Sequence, residues 1–434
     1  MIECYSLSGE FYESPRCFTD FDDIKTKLHF GQENIKDFPI EAIISLIDEY
    51  SKKISRDKEL LREEGMAFLT FYLKKNSIDK MVDLSTGNKN YLNGFVDVGN
   101  GKYIKAQRKG LICHWIAGNV GTLGIYSLIQ SLLCRNSNLI RVPKELISIT
   151  LRLLKPLKEV EVNLNEIYYR GEDLLKAISL IYFKSDNFSL NNKMSSIADG
   201  RVFWGGEEAL NSVKKLTQKT TCKDIIFGPK YSFAVMDREA VESIELERYL
   251  EKLAIDIITF NQKACSSPHV VFIEKGSVSI DEVGNRFAKV FDKVSRKYPL
   301  KYIDQGAAAK IINKRAEYGL SLDKMLYNSK CFNYTILVNN SISLEEPIGY
   351  RTVFLKEVSD VFEIKDLITP KVQTVGIAFN DKSKALSFTD EITRRGADRV
   401  IALGSMNIYD YPWDGMIVMH ELLRWCSLSL SEGL

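Results

Sequence analysis

The stretch 260–269, FNQKACSSPH, sets one cysteine where a thiol could do chemistry. Cys265 follows Asn261, Gln262 and Lys263 and precedes Ser266, Ser267 and Pro268. Upstream, Leu246, Leu250, Leu253 and Ile257 recur at helical spacing; downstream, VVFIE reads as a buried strand. A loop between a helix and a strand can expose a reactive side chain on rigid support. The thiolate is the nucleophile, so such a site must lower the thiol from its usual pKa of about 8.5. Lys263 is the one cation beside Cys265 in sequence. Residue types alone leave two readings open, a nucleophile and an inert thiol, because free cysteines are commonly buried and unreactive.

The elements around this loop follow a consistent pattern. Residues 40–84 carry apolar positions at helical spacing, as in IEAIISLIDEY, so the N-terminal part is expected to be mainly helical. An antiparallel pair is expected at 91–103, around Gly99-Asn100-Gly101. From Leu111 onward, short apolar runs (LICHWI, NLIRV, RVFW, FAVMD) alternate with helical stretches, the signature of parallel βαβ units. A second series starts near Gly228-Pro229, with a helix at 283–294 and strands at 270–273, 335–340 and 374–379. The expected division is 1–229, a cofactor-binding domain with a helical start; 230–404, a domain carrying the cysteine loop; and 405–434, returning to the first.

Bulk properties exclude several classes. A chain of 434 residues has room for two domains, and 45% hydrophobic with 27% charged residues is ordinary for a globular protein. A net charge of +2 gives no electrostatic argument for nucleic acid or an anionic membrane. The eight cysteines are scattered without a CxxC pair, and the opening MIECYSLSGEFYESP lacks a signal-peptide pattern. Reduced thiols and a cytoplasmic location are expected. With only four histidines, all distant from one another in sequence, no metal site is expected. Residues 111–134 are apolar enough to suggest a membrane span. However, His114, Asn119 and Gln130 would lie unpaired in lipid, and Gly118, Gly121 and Gly124 break the run into strand, turn and helix.

Four segments, in order, carry a family resemblance: HWIAGNVGTLGIYSL (114–128), RVFWGGEEAL (201–210), FNQKACSSP (260–268) and YPWDG (411–415). Together they resemble the aldehyde dehydrogenase superfamily. The closer likeness is to the long-chain acyl-CoA (acyl-protein thioester) reductases, the reductase component of bacterial luminescence. The likeness spans about 110–425. It implies an α/β fold, with a Rossmann-like cofactor domain and a second α/β catalytic domain. It makes Cys265 the nucleophile, and Asn119, with the Cys265 N–H, the oxyanion donor pair. Read without the resemblance, Asn119 is a turn residue bonded to its own backbone. Gly205 and Gly206 stand where the superfamily passes its backbone beneath a nicotinamide, although Glu207 and Glu208 would repel a phosphate they faced.

In NLIRVPKE (138–145) Val142 stands where the superfamily has a ribose-binding lysine, so Arg141 or Lys144 could take that role. A cation there favours a 2′-phosphate and hence NADPH, with NADH the alternative. The water-activating glutamate of hydrolytic relatives corresponds to Ile226, which points toward acyl reduction rather than aldehyde oxidation. His269 could move a proton or be structural, and His114 reads as core. Trp413-Asp414-Gly415 could close over the site or anchor the last helix, the latter preferred. The resemblance thus implies reduction of a long-chain acyl thioester to fatty aldehyde through an acyl-cysteine, by a homo-oligomer working beside an acyl-protein synthetase. Aldehyde oxidation and a silent acyl-binding scaffold are the competing readings.

Overall fold

The computed structural model describes residues 1–118 and 120–430. The chain forms two compact units. The first comprises Met1–Gly228, Tyr409–Pro412 and Met416–Leu434; the second comprises Pro229–Ile408 and Trp413–Gly415.

The first unit is built on a seven-stranded sheet. Its order is Lys223–Phe227, Gly200–Trp204, Leu111–Trp115, Ser137–Arg141, Ile178–Tyr182, Ile2–Leu7 and Glu10–Phe18. The first five strands pair in parallel. Leu111–Trp115 comes first in sequence among these five, and later strands add on both of its sides, the arrangement of a doubly wound nucleotide-binding sheet. Both faces of Leu111–Trp115 and Gly200–Trp204 are covered, which explains their unbroken apolar runs. Beside His114, the exception in these two strands is Arg201. Only 1% exposed, it forks onto Asp224 at 2.7 and 2.6 Å and donates to Ser195 Oγ at 2.7 Å.

The expectation of a mainly helical N-terminal part needs correction at its start. Helices do occupy Asp22–Ile35, Ile40–Ile54, Met66–Tyr72 and Lys75–Thr86, but residues 2–18 form a hairpin at the sheet edge. Its turn, Ser8-Gly9, takes positive φ at both residues, matching the twist of a two-residue hairpin. The pair expected at 91–103 is Val96–Asp97 against Lys102–Arg108, and Leu423–Ser429 completes a three-stranded sheet.

The second unit holds another seven-stranded sheet: Met325–Asn328, Thr335–Val338, Thr352–Val358, Pro268–Glu274, Tyr231–Met236, Val372–Ala378 and Arg399–Ala402. All neighbours are parallel except the first pair. Helices Leu246–Ile258 and Ile280–Lys297 cover one face. The second of these starts on a serine N-cap, with Ser279 Oγ accepting the Glu282 N–H at 3.2 Å, and it buries Val283, Phe287, Phe291 and Val294 along one stripe. Truncating such a buried phenylalanine to alanine typically costs about 3–5 kcal/mol, so this face anchors the strands beside it. Among the described residues no helix is long and apolar enough to cross a membrane, and no group of three His, Cys, Asp or Glu could hold a metal.

Candidate active site

The cysteine loop lies in the second unit, between helix Leu246–Ile258 and strand Pro268–Glu274. After the helix, Phe260, Asn261 and Gln262 take positive φ of 56°, 47° and 60° in succession. A left-handed non-glycine residue costs roughly 1–2 kcal/mol, so three in a row persist only where surrounding contacts over-determine them. Here they do. Gln262 is buried, donates to Pro268 O at 2.9 Å and Thr352 O at 3.0 Å, and accepts the Thr352 N–H at 2.8 Å. Asn261 O accepts the Tyr350 N–H at 3.0 Å, and its Oδ1 accepts Arg351 Nε at 3.0 Å.

The chain is thereby turned back onto the N-terminal end of its strand, and Ser267 N–H closes onto Ala264 O at 3.0 Å. Cys265 is pinned on both flanks: Ser232 Oγ donates to Cys265 O at 2.6 Å, and Ser266 Oγ donates to Asn407 Oδ1 at 2.8 Å. Asn407 in turn donates to Asp256 O at 2.8 Å. The Asp256 carboxylate accepts the N–H groups of Gly404 at 2.5 Å and Met406 at 3.1 Å. Burial pushes the Asp256 carboxyl up to about 7 against those hydrogen bonds.

The Cys265 thiol is half-buried, and the local electrostatics differ from the lowered pKa that a resting thiolate needs. Burial pushes the thiol above its ordinary value. The Lys230 N–H and ammonium pull it down, and the Asp414 carboxylate pushes it up. The cation acting on the thiol is therefore Lys230, whereas Lys263 lies over the Tyr350 ring at 5.4 Å. Lys230 is ion-paired with Asp398, and Asp414, held by Gln373, is pushed by burial up to about 6. A thiol with a raised pKa reacts only through its small thiolate fraction, which grows tenfold per pH unit below the pKa. Alkylation of Cys265 by iodoacetamide is thus expected to rise about tenfold per unit between about pH 6 and 9. Peptide mass spectrometry at fixed times checks this; a plateau near neutrality would mean that the thiol is ionised at rest.

Trp413-Asp414-Gly415 belongs to the second unit, with Arg399 over the Trp413 ring at 4.6 Å, and so contributes to the surroundings of the thiol. His269 lies beside the Tyr231 ring at 5.6 Å, buried, with Nδ1 lacking a hydrogen-bond partner among the described residues; burial pulls its pKa down to about 4. His114, in the first unit, is core as expected. Its Nε2 meets Asn138 Oδ1 at 3.0 Å and its Nδ1 meets Ser127 Oγ at 3.3 Å.

The cofactor candidates lie in the first unit. A crevice of about 580 Å³ opens beyond the carboxyl ends of its central strands, lined by Trp115, Arg141, Pro143, Trp204, Gly205 and Gly206, among others. Doubly wound sheets bind nucleotides at this position. A side-chain carbon at Gly206 would meet nothing within 4 Å, so a ligand can approach the backbone there. Arg141 Nη2 donates to Phe183 O at 3.1 Å, while its Nε is buried without a partner among the described residues. That orphaned donor suits an anionic group, so the residues fit a nicotinamide dinucleotide. Glu208 also lines the crevice and narrows where a phosphate could lie. Lys144 is exposed and not among the lining residues, and Val142 is buried. Asn119 lies outside the described residues. Ile226 is half-buried, paired with Phe203 across the strands and packed on the surrounding apolar cluster.

A family model described as "Acyl-CoA reductase (LuxC)" matches residues 35–425. The chain is 25% identical over 391 residues to a long-chain acyl-protein thioester reductase of Aliivibrio fischeri, covering 88% of this chain and 76% of that protein. It is 24% identical over 447 residues to the protein of the same name from Vibrio harveyi, covering 96% and 88%. Among solved structures, a putative aldehyde dehydrogenase PutA from Anabaena variabilis aligns with a TM-score of 0.67 at 14% identity, covering 99% of this chain and 97% of that one. A lactaldehyde dehydrogenase aligns with a TM-score of 0.67 at 12% identity, covering 99% of each chain. The fold is therefore that of the aldehyde dehydrogenases, and the sequence match running through both units places the chain in the acyl-CoA reductase (LuxC) family.

Proposed function

We propose that the chain reduces a long-chain fatty acyl thioester, acyl-CoA or acyl-protein, to the fatty aldehyde with NADPH, through an acyl group held on Cys265. The Cys265 thiolate attacks the acyl carbonyl carbon, the bond to the carrier sulfur breaks, and the carrier leaves as its thiol with the proton that Cys265 gave up. Negative charge builds on the carbonyl oxygen, and the donors assigned to it are the Cys265 N–H and the Asn119 amide. A bound nicotinamide supplies the hydride that takes the acyl group to the aldehyde. Gly205, Gly206 and Arg141 are assigned to that cofactor; the half-buried Arg141 cation, which lines the crevice, rather than the exposed Lys144, is the candidate for a 2′-phosphate.

The observation that carries this reading is the strained, doubly anchored loop that fixes Cys265, in a chain of the acyl-CoA reductase family. Ile226 supports reduction over hydrolysis, because the position carries no general base. The first unit is assigned the cofactor and the second the nucleophile. A homo-oligomer in the cytoplasm, served by an acyl-protein synthetase, is part of the same proposal.

The test is intact-mass and peptide spectrometry after incubation with acyl-CoA of several chain lengths. The Cys265 peptide is expected to gain the acyl mass without NADPH and to lose it as aldehyde once NADPH is added. A Cys265 peptide that never gains acyl mass would overturn the reading in favour of a silent scaffold.

A further inference from the structure

A second cavity in the first unit, distinct from the crevice at the strand ends, concentrates positive charge. Its volume is about 830 Å³, and Lys36, Lys105, Arg108, Lys109, Arg135 and Arg424 line it against one carboxylate, Asp37. The whole chain carries a net charge of only +2, so this excess is local. Lys36 and Arg108 share one nearby partner, Glu33. Lys105, Lys109 and Arg424 have no ion pair among the described residues. Arg424 lies opposite Gln107, and Cys426 opposite Lys105, so Lys105 and Arg424 present their charges on one face of the three-stranded sheet. The turn bearing Lys109 is fixed, with Asn136 Oδ1 accepting the N–H groups of Lys109 at 2.8 Å and Gly110 at 3.0 Å.

Arg135 is the most informative of the six. It follows helix Leu123–Leu133 with φ of 57°, a position where glycine or asparagine is usual, so the fold accepts backbone strain to keep an arginine there. The side chain is only 8% exposed. Its three described hydrogen bonds go to neutral oxygens: Phe38 O at 2.8 Å, Leu92 O at 2.7 Å and Asn93 Oδ1 at 3.2 Å. Asp37 and Glu41 act on it only through space. A guanidinium has five N–H donors, so two remain for a ligand. A buried charge without a bonded counter-charge is costly, and a bound anion would offset that cost.

We infer that this cavity binds a small molecule carrying two or more phosphoryl groups. The argument for more than one anionic centre is the spread of cations. A buried arginine lies in the same cavity as a rim of lysines and arginines, and guanidinium forks and ammonium groups are the usual phosphate partners.

Titration calorimetry on the full chain, with inorganic pyrophosphate and inorganic phosphate as probes, tests the site. Pyrophosphate is expected to bind at one site per chain, at least tenfold tighter than phosphate and weaker as salt rises. The double variant Lys105→Ala/Lys109→Ala should weaken pyrophosphate at least tenfold while melting like wild type. Arg141→Ala, in the other crevice, should leave pyrophosphate binding unchanged. Absence of saturable binding, or equal binding by the double variant, would overturn the proposal. So would binding that vanishes as protein concentration rises, because a second copy of the chain would then cover the cavity.

Discussion

Replacing Cys265 by serine is expected to lower reductase turnover by on the order of 10⁶, the scale seen when a covalent catalyst loses its nucleophile. The substitution keeps size and shape. The contacts that pin the loop run through the Cys265 carbonyl, the Ser266 hydroxyl and the Gln262 amide, and the Lys230 N–H that bonds to the sulfur can bond to a serine oxygen instead. Stability should therefore stay within about 0.5 kcal/mol of wild type, as for a substitution that removes no anchoring contact. What is lost is ionisation: a serine hydroxyl in this enclosed position has no accessible anion, whereas the thiol, even raised by burial, reaches one as pH climbs. The measurement pairs NADPH consumption with thermal melting. Near-normal turnover in the serine variant would end the acyl-cysteine mechanism. Replacing Cys113 or Cys134, both fully buried, should instead cost stability and spare turnover.

Much of the fold was legible because it rests on local periodicity. The strands at LICHW, RVFW and PHVVFIE and the helix burying Phe287 and Phe291 each show the period that their burial demands. The elements that escaped are those where a polar residue interrupts the pattern and is satisfied from far away. Strand Thr352–Val358 is central and buried, yet it carries Lys356. That lysine is fully buried only because Ser341 Oγ at 2.8 Å, Ser343 Oγ at 3.0 Å and Glu345 Oε1 at 2.8 Å take its three donors.

The site divides in the same way. Cys265 and Gly205 announce themselves by local setting. Lys230 and Asn407 reach the nucleophile loop from distant segments, and nothing in their neighbours marks them. Lys263 shows the converse error. Adjacency in sequence made it the candidate cation, but the left-handed turn before it sends its side chain over Tyr350.

Gln262→Ala should produce the largest combined loss of any change that leaves Cys265 in place. The amide of Gln262 bridges two segments of backbone, donating to Pro268 O and Thr352 O and accepting the Thr352 N–H, all in the interior. Truncation takes a donor from both carbonyls and leaves the Thr352 N–H with only its longer bond to Gly349 O at 3.2 Å; leaving a buried donor or acceptor unmade costs about 1–3 kcal/mol each where water cannot reach it. It also removes the contact that holds Phe260, Asn261 and Gln262 left-handed, so the strain there can relax by moving the loop. A total near 3 kcal/mol corresponds to a melting shift of about 6–12 °C for a unit of this size. Catalysis should suffer separately, because displacing a nucleophile by about 1 Å costs roughly 10² in rate. Acylation of Cys265, followed by mass at a temperature where the variant is still folded, isolates that part. If the variant melts early yet acylates at the wild-type rate, the left-handed turn is only a structural joint, and the positioning of Cys265 must come from Ser232 and Asn407.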